Sequence, residues 1–150
     1  MRAQQIVKLA KDIRQNWNTS DPYEIARKFG IIVIDRDVDV KGFKAHILKT
    51  EGYPAIIAIN NAYTERSRKV LCAHELGHAL LHWDSINHFS VTEKNLTTSV
   101  EYEADLFALA LLLDESQLTI PLDKMSSSMI RYIMNYNIHR RKDITKSYHP

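Results

Sequence analysis

Apolar residues recur at helical spacing from the start of the chain. Ile6, Leu9, Ala10, Ile13 and Trp17 fall on one stripe with charged residues between them, which predicts an amphipathic helix burying one face. Asp21-Pro22-Tyr23-Glu24 supplies an N-cap, a proline at the first helical position and an acid in the first turn. Gly30 ends that second helix. Ile31-Ile32-Val33-Ile34-Asp35 reads as a buried strand. Phe43 to Leu48 and Tyr53 to Asn60 read as a hairpin joined through Lys49-Thr50-Glu51-Gly52. Thr64 is an N-cap candidate with Glu65 in the first turn of the next helix. That helix is apolar on most sides: Val70, Leu71, Cys72, Ala73, Leu76, Ala79, Leu80, Leu81 and Trp83. A helix hydrophobic all round is buried. After a long loop, Asp84 to about Ser99, a second buried helix is predicted from Val100 to Leu113. Met129, Ile130, Ile133 and Met134 mark an amphipathic helix near the end. Strands before helices give an α+β fold: N-terminal helices and a small, mainly antiparallel sheet, packed on a pair of buried helices, with C-terminal helices after them.

The buried helix nevertheless carries His74, Glu75 and His78, and buried polar side chains cost free energy unless partnered. His74-Glu75-Leu76-Gly77-His78 sets two imidazoles at i and i+4, one turn apart on one face. Two imidazoles at that spacing can grip one metal ion. Glu75 lies about 100° round the helix, where it can act as general base on water. This is the zinc-peptidase arrangement, two ligands and a base with room for a third ligand. Gly77 has no side chain, so a neighbouring element can approach there; its cost of about 1 kcal/mol in a helix asks for such a reason.

The second buried helix offers the third ligand. Glu101, Ala104, Asp105, Ala108 and Leu112 share a face, and the alanines allow close packing on the first helix. Glu101 can then reach the metal. Asp105, one turn on, can accept from the outer ring N–H of a ligating histidine. Glu103 points about 200° away from Glu101, so one straight helix cannot present both, and Glu103 stands as the rival ligand. A capping box, Thr98-x-x-Glu101, is a competing use of Glu101.

HELGHALLH over 74–82, followed by E-x-x-A-D-x-F-A-x-x-L-L over 101–112, resembles the ImmA/IrrE family of metallopeptidases across roughly residues 25–115. The family's pattern aligns its glutamate with Glu101 rather than Glu103, and its Asn/Asp with Asp105. Asp114 stands where the family usually has proline. The resemblance implies a zincin-like helix pair, one zinc held by His74, His78 and Glu101, and Glu75 as base. It also implies a substrate class: helix-turn-helix repressors of mobile elements, phages or stress genes, cut at specific sites. A zinc-binding module that holds a DNA-binding partner without cleaving it is the alternative; an intact Glu75 speaks against it.

Length and composition fit one domain over 1–150 with a sizeable core. A net charge of +2 makes no electrostatic case for nucleic acid. One cysteine excludes an internal disulfide and suits a reducing compartment. Cys72 lies about 160° from His74 and reads as a core residue. No run approaches a membrane span, and MRAQQIVKLAKDIRQNW lacks the apolar run of a signal peptide, so the cytoplasm is expected. His82 follows on the ligand face but sits roughly 12 Å along the axis from His74, which suits a hydrogen-bonded neighbour rather than a ligand. His46, Tyr63 and Tyr102 are candidates for oxyanion stabilisation, each more simply read as an edge or capping residue. The loop 83–99, with His88 and Phe89, has the length of a lid or binding loop. His139-Arg140-Arg141-Lys142 reads as a solvated basic helix end. An edge strand beside the cleft could receive an extended peptide, but the sequence does not say which strand that is.

Overall fold

The structure, a computed structural model, describes residues 2–37, 42–84 and 94–141, with the backbone alone for 94–98. Helix α1 (Ala3–Trp17) buries Ile6, Val7, Ala10 and Ile13, the face its stripe predicts. Helix α2 (Pro22–Lys28) starts as expected, with the Asp21 carboxylate accepting from the Tyr23 N–H at 3.0 Å. Three strands follow: β1 (Ile32–Arg36), β2 (Ala45–Leu48) and β3 (Ile56–Asn60). Between β2 and β3 the chain turns at Gly52, whose φ of +82° suits a residue without a Cβ.

The hairpin forms, with Ala45 opposite Ile59 and Leu48 opposite Ile56. β1 pairs with the other side of β3 in parallel, Ile32 with Ile56 through Arg36 with Asn60. The sheet order is therefore β1-β3-β2 and the sheet is mixed, where a mainly antiparallel one was expected. β1 was also expected to be buried, yet Ile32 is exposed and Val33 and Ile34 are half-buried, so the apolar run fixes neither burial nor pairing direction. The third strand is free to join either way once the hairpin has used one side of β3.

Helix α3 (Glu65–Leu81) and helix α4 (Lys94–Leu112) make the most extensive contact among the described residues. α1 packs on α4, and α2, β2 and β3 pack on α3. Leu76, Leu106, Phe107, Leu109 and Leu111 are fully buried between these layers, with Ile57 and Ile59 from the sheet. α4 begins six residues before the Val100 start expected from its apolar run. Its first turn is polar, so hydrophobic periodicity misses it. Thr98 consequently lies inside the helix and cannot be its N-cap, so the capping-box use of Glu101 is excluded. His88 and Phe89 lie outside the described residues.

Asp114 does the stopping work expected of a proline. Its carboxylate accepts from the Ser116 N–H at 3.0 Å and caps a short 3-10 turn, Glu115–Gln117. Helix α5 (Ser127–Tyr136) buries Ile130 and Met134 and packs on α4. The segment after it is tied to the start of α3. Thr64 N–H donates to the His139 carbonyl at 2.9 Å, His139 N–H to Ser67 Oγ at 2.7 Å, and Arg141 N–H to the Ala62 carbonyl at 2.7 Å. The described part of the basic cluster thus closes the fold through its backbone, and Lys142 lies outside the described residues.

Candidate metal centre

Thr64 caps α3 by accepting from Ser67 N–H at 3.2 Å, which fixes the phase at which His74, Glu75 and His78 leave the helix. Helical side chains lean toward the N-terminus, so each histidine of the row reaches back over the one before it. Opposite them, the helix contact is tight at one point. A Cβ on Gly77 would stand 3.2 Å from the Cα and carbonyl oxygen of Ala104 and from Phe107 Cδ1. That approach brings α4 close enough for its carboxylates to reach the imidazoles. Glu101 and Asp105, one turn apart, serve one side of the contact, and Glu103 serves the other.

Three side chains converge. His74 Nε2 lies 2.9 Å from one Glu101 oxygen and His78 Nε2 lies 3.1 Å from the other, while the two ring nitrogens are 3.1 Å apart. In a tetrahedral zinc site with bonds of about 2.0–2.1 Å, ligand atoms are separated by about 3.3–3.4 Å. The observed separations are near that size, with the two nitrogens meeting different oxygens of the one carboxylate. Two imidazole nitrogens facing each other and one carboxylate are satisfied by a proton on one ring or by a shared cation. Behind His74, Nδ1 stands 2.8 Å from Asp105 Oδ1. Both atoms are buried, and neither has another hydrogen-bond partner among the described residues. A cation held at Nε2 leaves the His74 proton on Nδ1, facing the Asp105 carboxylate, so the triangle and its backing fit a site built for a metal ion. Among the described residues, His74, His78 and Glu101 form the group able to hold one.

Burial and the facing carboxylates set the electrostatics of the site. Burial pushes the His74 imidazolium down, but Asp105 and Glu101 more than reverse this and raise it to about 10. Burial acts to raise Glu101, yet its contacts with His74 and His78 hold its carboxyl well below the usual range. Glu75 is pushed up to about 7 by burial, with His74 opposing and Glu101 adding. A carboxyl near neutrality both takes and returns protons.

Behind His78, Nδ1 lies 3.1 Å from His82 Nδ1, and His82 Nε2 lies 2.7 Å from Glu103 Oε1. Glu103, the rival ligand, is therefore turned to His82 and away from the triangle. Burial lowers the His82 pKa, with Glu103 opposing. Cys72 is fully buried on the far side of α3, and its thiol pKa is pushed up chiefly by that burial.

The triangle opens into a cleft of about 230 Å³ walled by Lys44 and Ala45 at β2, Glu75, Glu101, Asp105 and Arg131, with Met134, Asn135 and Ile138 beyond. β2 is an edge strand, so it is the edge that borders the cleft. His46, Tyr63 and Tyr102 are not among its described walls. His46 packs edge-on against Phe43, with ring centroids 4.2 Å apart, and Tyr63 is buried beside Arg140. Arg131 was not foreseen from the sequence. Its guanidinium lies 3.0 Å from Asp105 Oδ2 and 3.8 Å from Glu101 Oε2. Arg131 stands beside the core positions Ile130 and Met134 of α5, and nothing in that stripe singles it out.

Residues 26–136 match the family described as the IrrE N-terminal-like domain. The match runs past 115 and takes in α5 with Arg131. Among curated proteins, the chain is 33% identical over 105 residues to "Uncharacterized immunity region protein 2" of Bacillus phage phi105, covering 67% of this chain and 63% of that one. It is 31% identical over 122 residues to "Metallopeptidase ImmA" of Bacillus subtilis (strain 168), covering 79% of this chain and 64% of that one. The chain thus spans just under two thirds of the length of these relatives. No solved structure matches it. Among the described residues no helix is long and apolar enough to cross a membrane. With most of its length matched, including α3 and α4 entire, this chain belongs to the ImmA/IrrE family.

Proposed function

We propose that this chain is a cytoplasmic, zinc-dependent, site-specific endopeptidase, acting as one domain, whose substrate is a helix-turn-helix repressor controlling a mobile element, phage or stress response. The observation that carries the reading is the convergence of His74, His78 and Glu101 beside a cleft that Glu75 and one end of the edge strand β2 also line. The zinc would be held by His74 Nε2, His78 Nε2 and the Glu101 carboxylate, and when bound it supplies Lewis acidity, polarising a carbonyl and lowering the pKa of water toward ~7.

The protein's own groups do the rest. Glu75, which lines the cleft beside the three converging side chains, takes the proton of the attacking water and returns it to the leaving amine. Asp105 fixes the His74 ring from behind, and Arg131 holds Asp105 while keeping a positive charge at the cleft wall. An extended substrate segment adds to β2, its backbone pairing with the outer side of that strand near Ala45. The burial of Glu75 keeps bulk water from competing for its proton. The repressor substrate rests on the family and on the relative named for a phage immunity region.

The test is incubation with a helix-turn-helix repressor, taken from a neighbouring reading frame where one is found there, and with casein as an unrelated unfolded protein. The expected result is one or few chelator-sensitive cuts in the repressor and little loss of casein. Digestion of casein at many sites would overturn the regulatory substrate and keep the peptidase. Tight repressor binding with no cut by the zinc-loaded protein would overturn the peptidase and favour the binding module.

A further inference from the structure

We infer that His82 and Glu103 form a hydrogen-bonded relay that fixes the tautomer and orientation of His78, so that the two histidines of the motif are held from behind by different devices. The inference rests on the reading of His74, His78 and Glu101 as zinc ligands. The row on α3 runs His74, His78, His82, one turn apart. His82 is the C-cap of α3, and its backbone N–H donates to the His78 carbonyl at 2.8 Å. That anchors the ring one turn beyond His78 and leaves Nδ1 of each ring 3.1 Å from the other. On its far side His82 Nε2 meets Glu103 Oε1 at 2.7 Å. Both rings are buried, so water does not scramble these contacts.

One proton arrangement satisfies the whole row. A neutral histidine that presents Nε2 to a metal carries its proton on Nδ1. His78 Nδ1–H then donates to His82 Nδ1, which must carry a lone pair. His82 therefore holds its proton on Nε2, and that N–H donates to the Glu103 carboxylate. Glu103, an acceptor only, admits no other direction at its end. His74 has a carboxylate, Asp105, directly behind it. His78 has a carboxylate one imidazole removed. Glu103 thereby gains a role that its position, turned away from Glu101, denies it as a ligand.

The first measurement needs no variant. Long-range proton–nitrogen NMR of the wild-type chain loaded with zinc alone should show His82 protonated on Nε2 and not on Nδ1. A His82 carrying its proton on Nδ1, or on both nitrogens, overturns the relay. The second is zinc affinity, read by competition with a chromophoric chelator. His82→Leu should weaken zinc by about 10–100-fold, the usual scale for losing such a partner. His82→Gln keeps an acceptor oxygen and should restore most of that loss, which a mere packing role would not produce. Wild-type affinity in His82→Leu, or no rescue by glutamine with both variants folded, overturns the proposal. If His82→Leu does not fold, the NMR result decides. A wild-type chain that takes up no zinc would instead remove the metal reading itself, a different failure from zinc uptake with the wrong His82 tautomer.

Discussion

Gly77→Ala tests whether the site depends on the pressed contact between α3 and α4. The added methyl would sit 3.2 Å from Ala104 Cα, Ala104 O and Phe107 Cδ1. Comfortable carbon contacts lie at about 3.5–4.0 Å, so relief requires a separation of about 0.3–0.8 Å. Two of the three atoms are backbone of α4. The third belongs to a fully buried ring, so no flexible end can swing aside. Overpacking of this kind costs about 1–3 kcal/mol, while alanine in place of glycine returns about 1 kcal/mol of helix propensity. The net expectation is a loss of about 0–2 kcal/mol. The sharper effect falls on the metal. Asp105 is the next residue after Ala104 and Glu101 lies one turn before it, so any retreat of α4 carries both carboxylates away from the imidazoles. Zinc affinity should fall by about tenfold or more, the scale of losing an outer partner. Urea unfolding of the zinc-free protein and chelator competition read the two quantities separately. A variant about 1 kcal/mol more stable, with undiminished zinc affinity, would refute the claim that this contact builds the site.

Glu75→Gln should retain zinc and bind substrate but lose cleavage, since only the base is removed; cleavage at the wild-type rate would eliminate Glu75 from the chemistry. Glu101→Ala should weaken zinc sharply, and Asp105→Ala by about 10–100-fold. A larger loss from Glu103→Ala than from Glu101→Ala, by the same chelator competition, would reverse the assignment of the ligand. In the zinc-free protein His74 is raised from 6.5 to about 10, so its proton contributes stability that is complete below pH 6.5 and lost as pH rises through about 10. Glu101 is shifted the other way, and its contribution is lost as pH falls below its ordinary 4.5. At pH 7 zinc must therefore displace the His74 proton, and calorimetry in two buffers of different ionisation enthalpy should find about one proton released per zinc. No proton release would show that His74 is not the group zinc replaces.

The chemistry of α3 was legible because one helix period converts the spacing of His74 and His78 directly into a shared face. Gly77 was legible for the same reason, since an expensive glycine in a buried helix asks for a neighbour, and Ala104 is that neighbour. Helical phase placed Glu101 and Glu103 on different faces, and the structure sets Glu101 beside His74 and His78 and Glu103 beside His82. What Glu103 does was not legible, because its partner His82 lies on another helix and at a cap, where phase arguments end. Apolar periodicity could not place the polar first turn of α4, nor the parallel pairing of β1 with β3. Arg131 escaped because it reaches the site across a tertiary contact of α5, twenty-six positions after Asp105, and its own helix advertises only its core stripe.

The most direct measurement is metal content. The wild-type chain, purified without added metal and dialysed against trace zinc, should carry about one zinc per chain. His74→Ala, His78→Ala and Glu101→Ala should each carry far less while remaining folded. Equal zinc in the wild type and all three variants would contradict the central claim that these three side chains are one metal site.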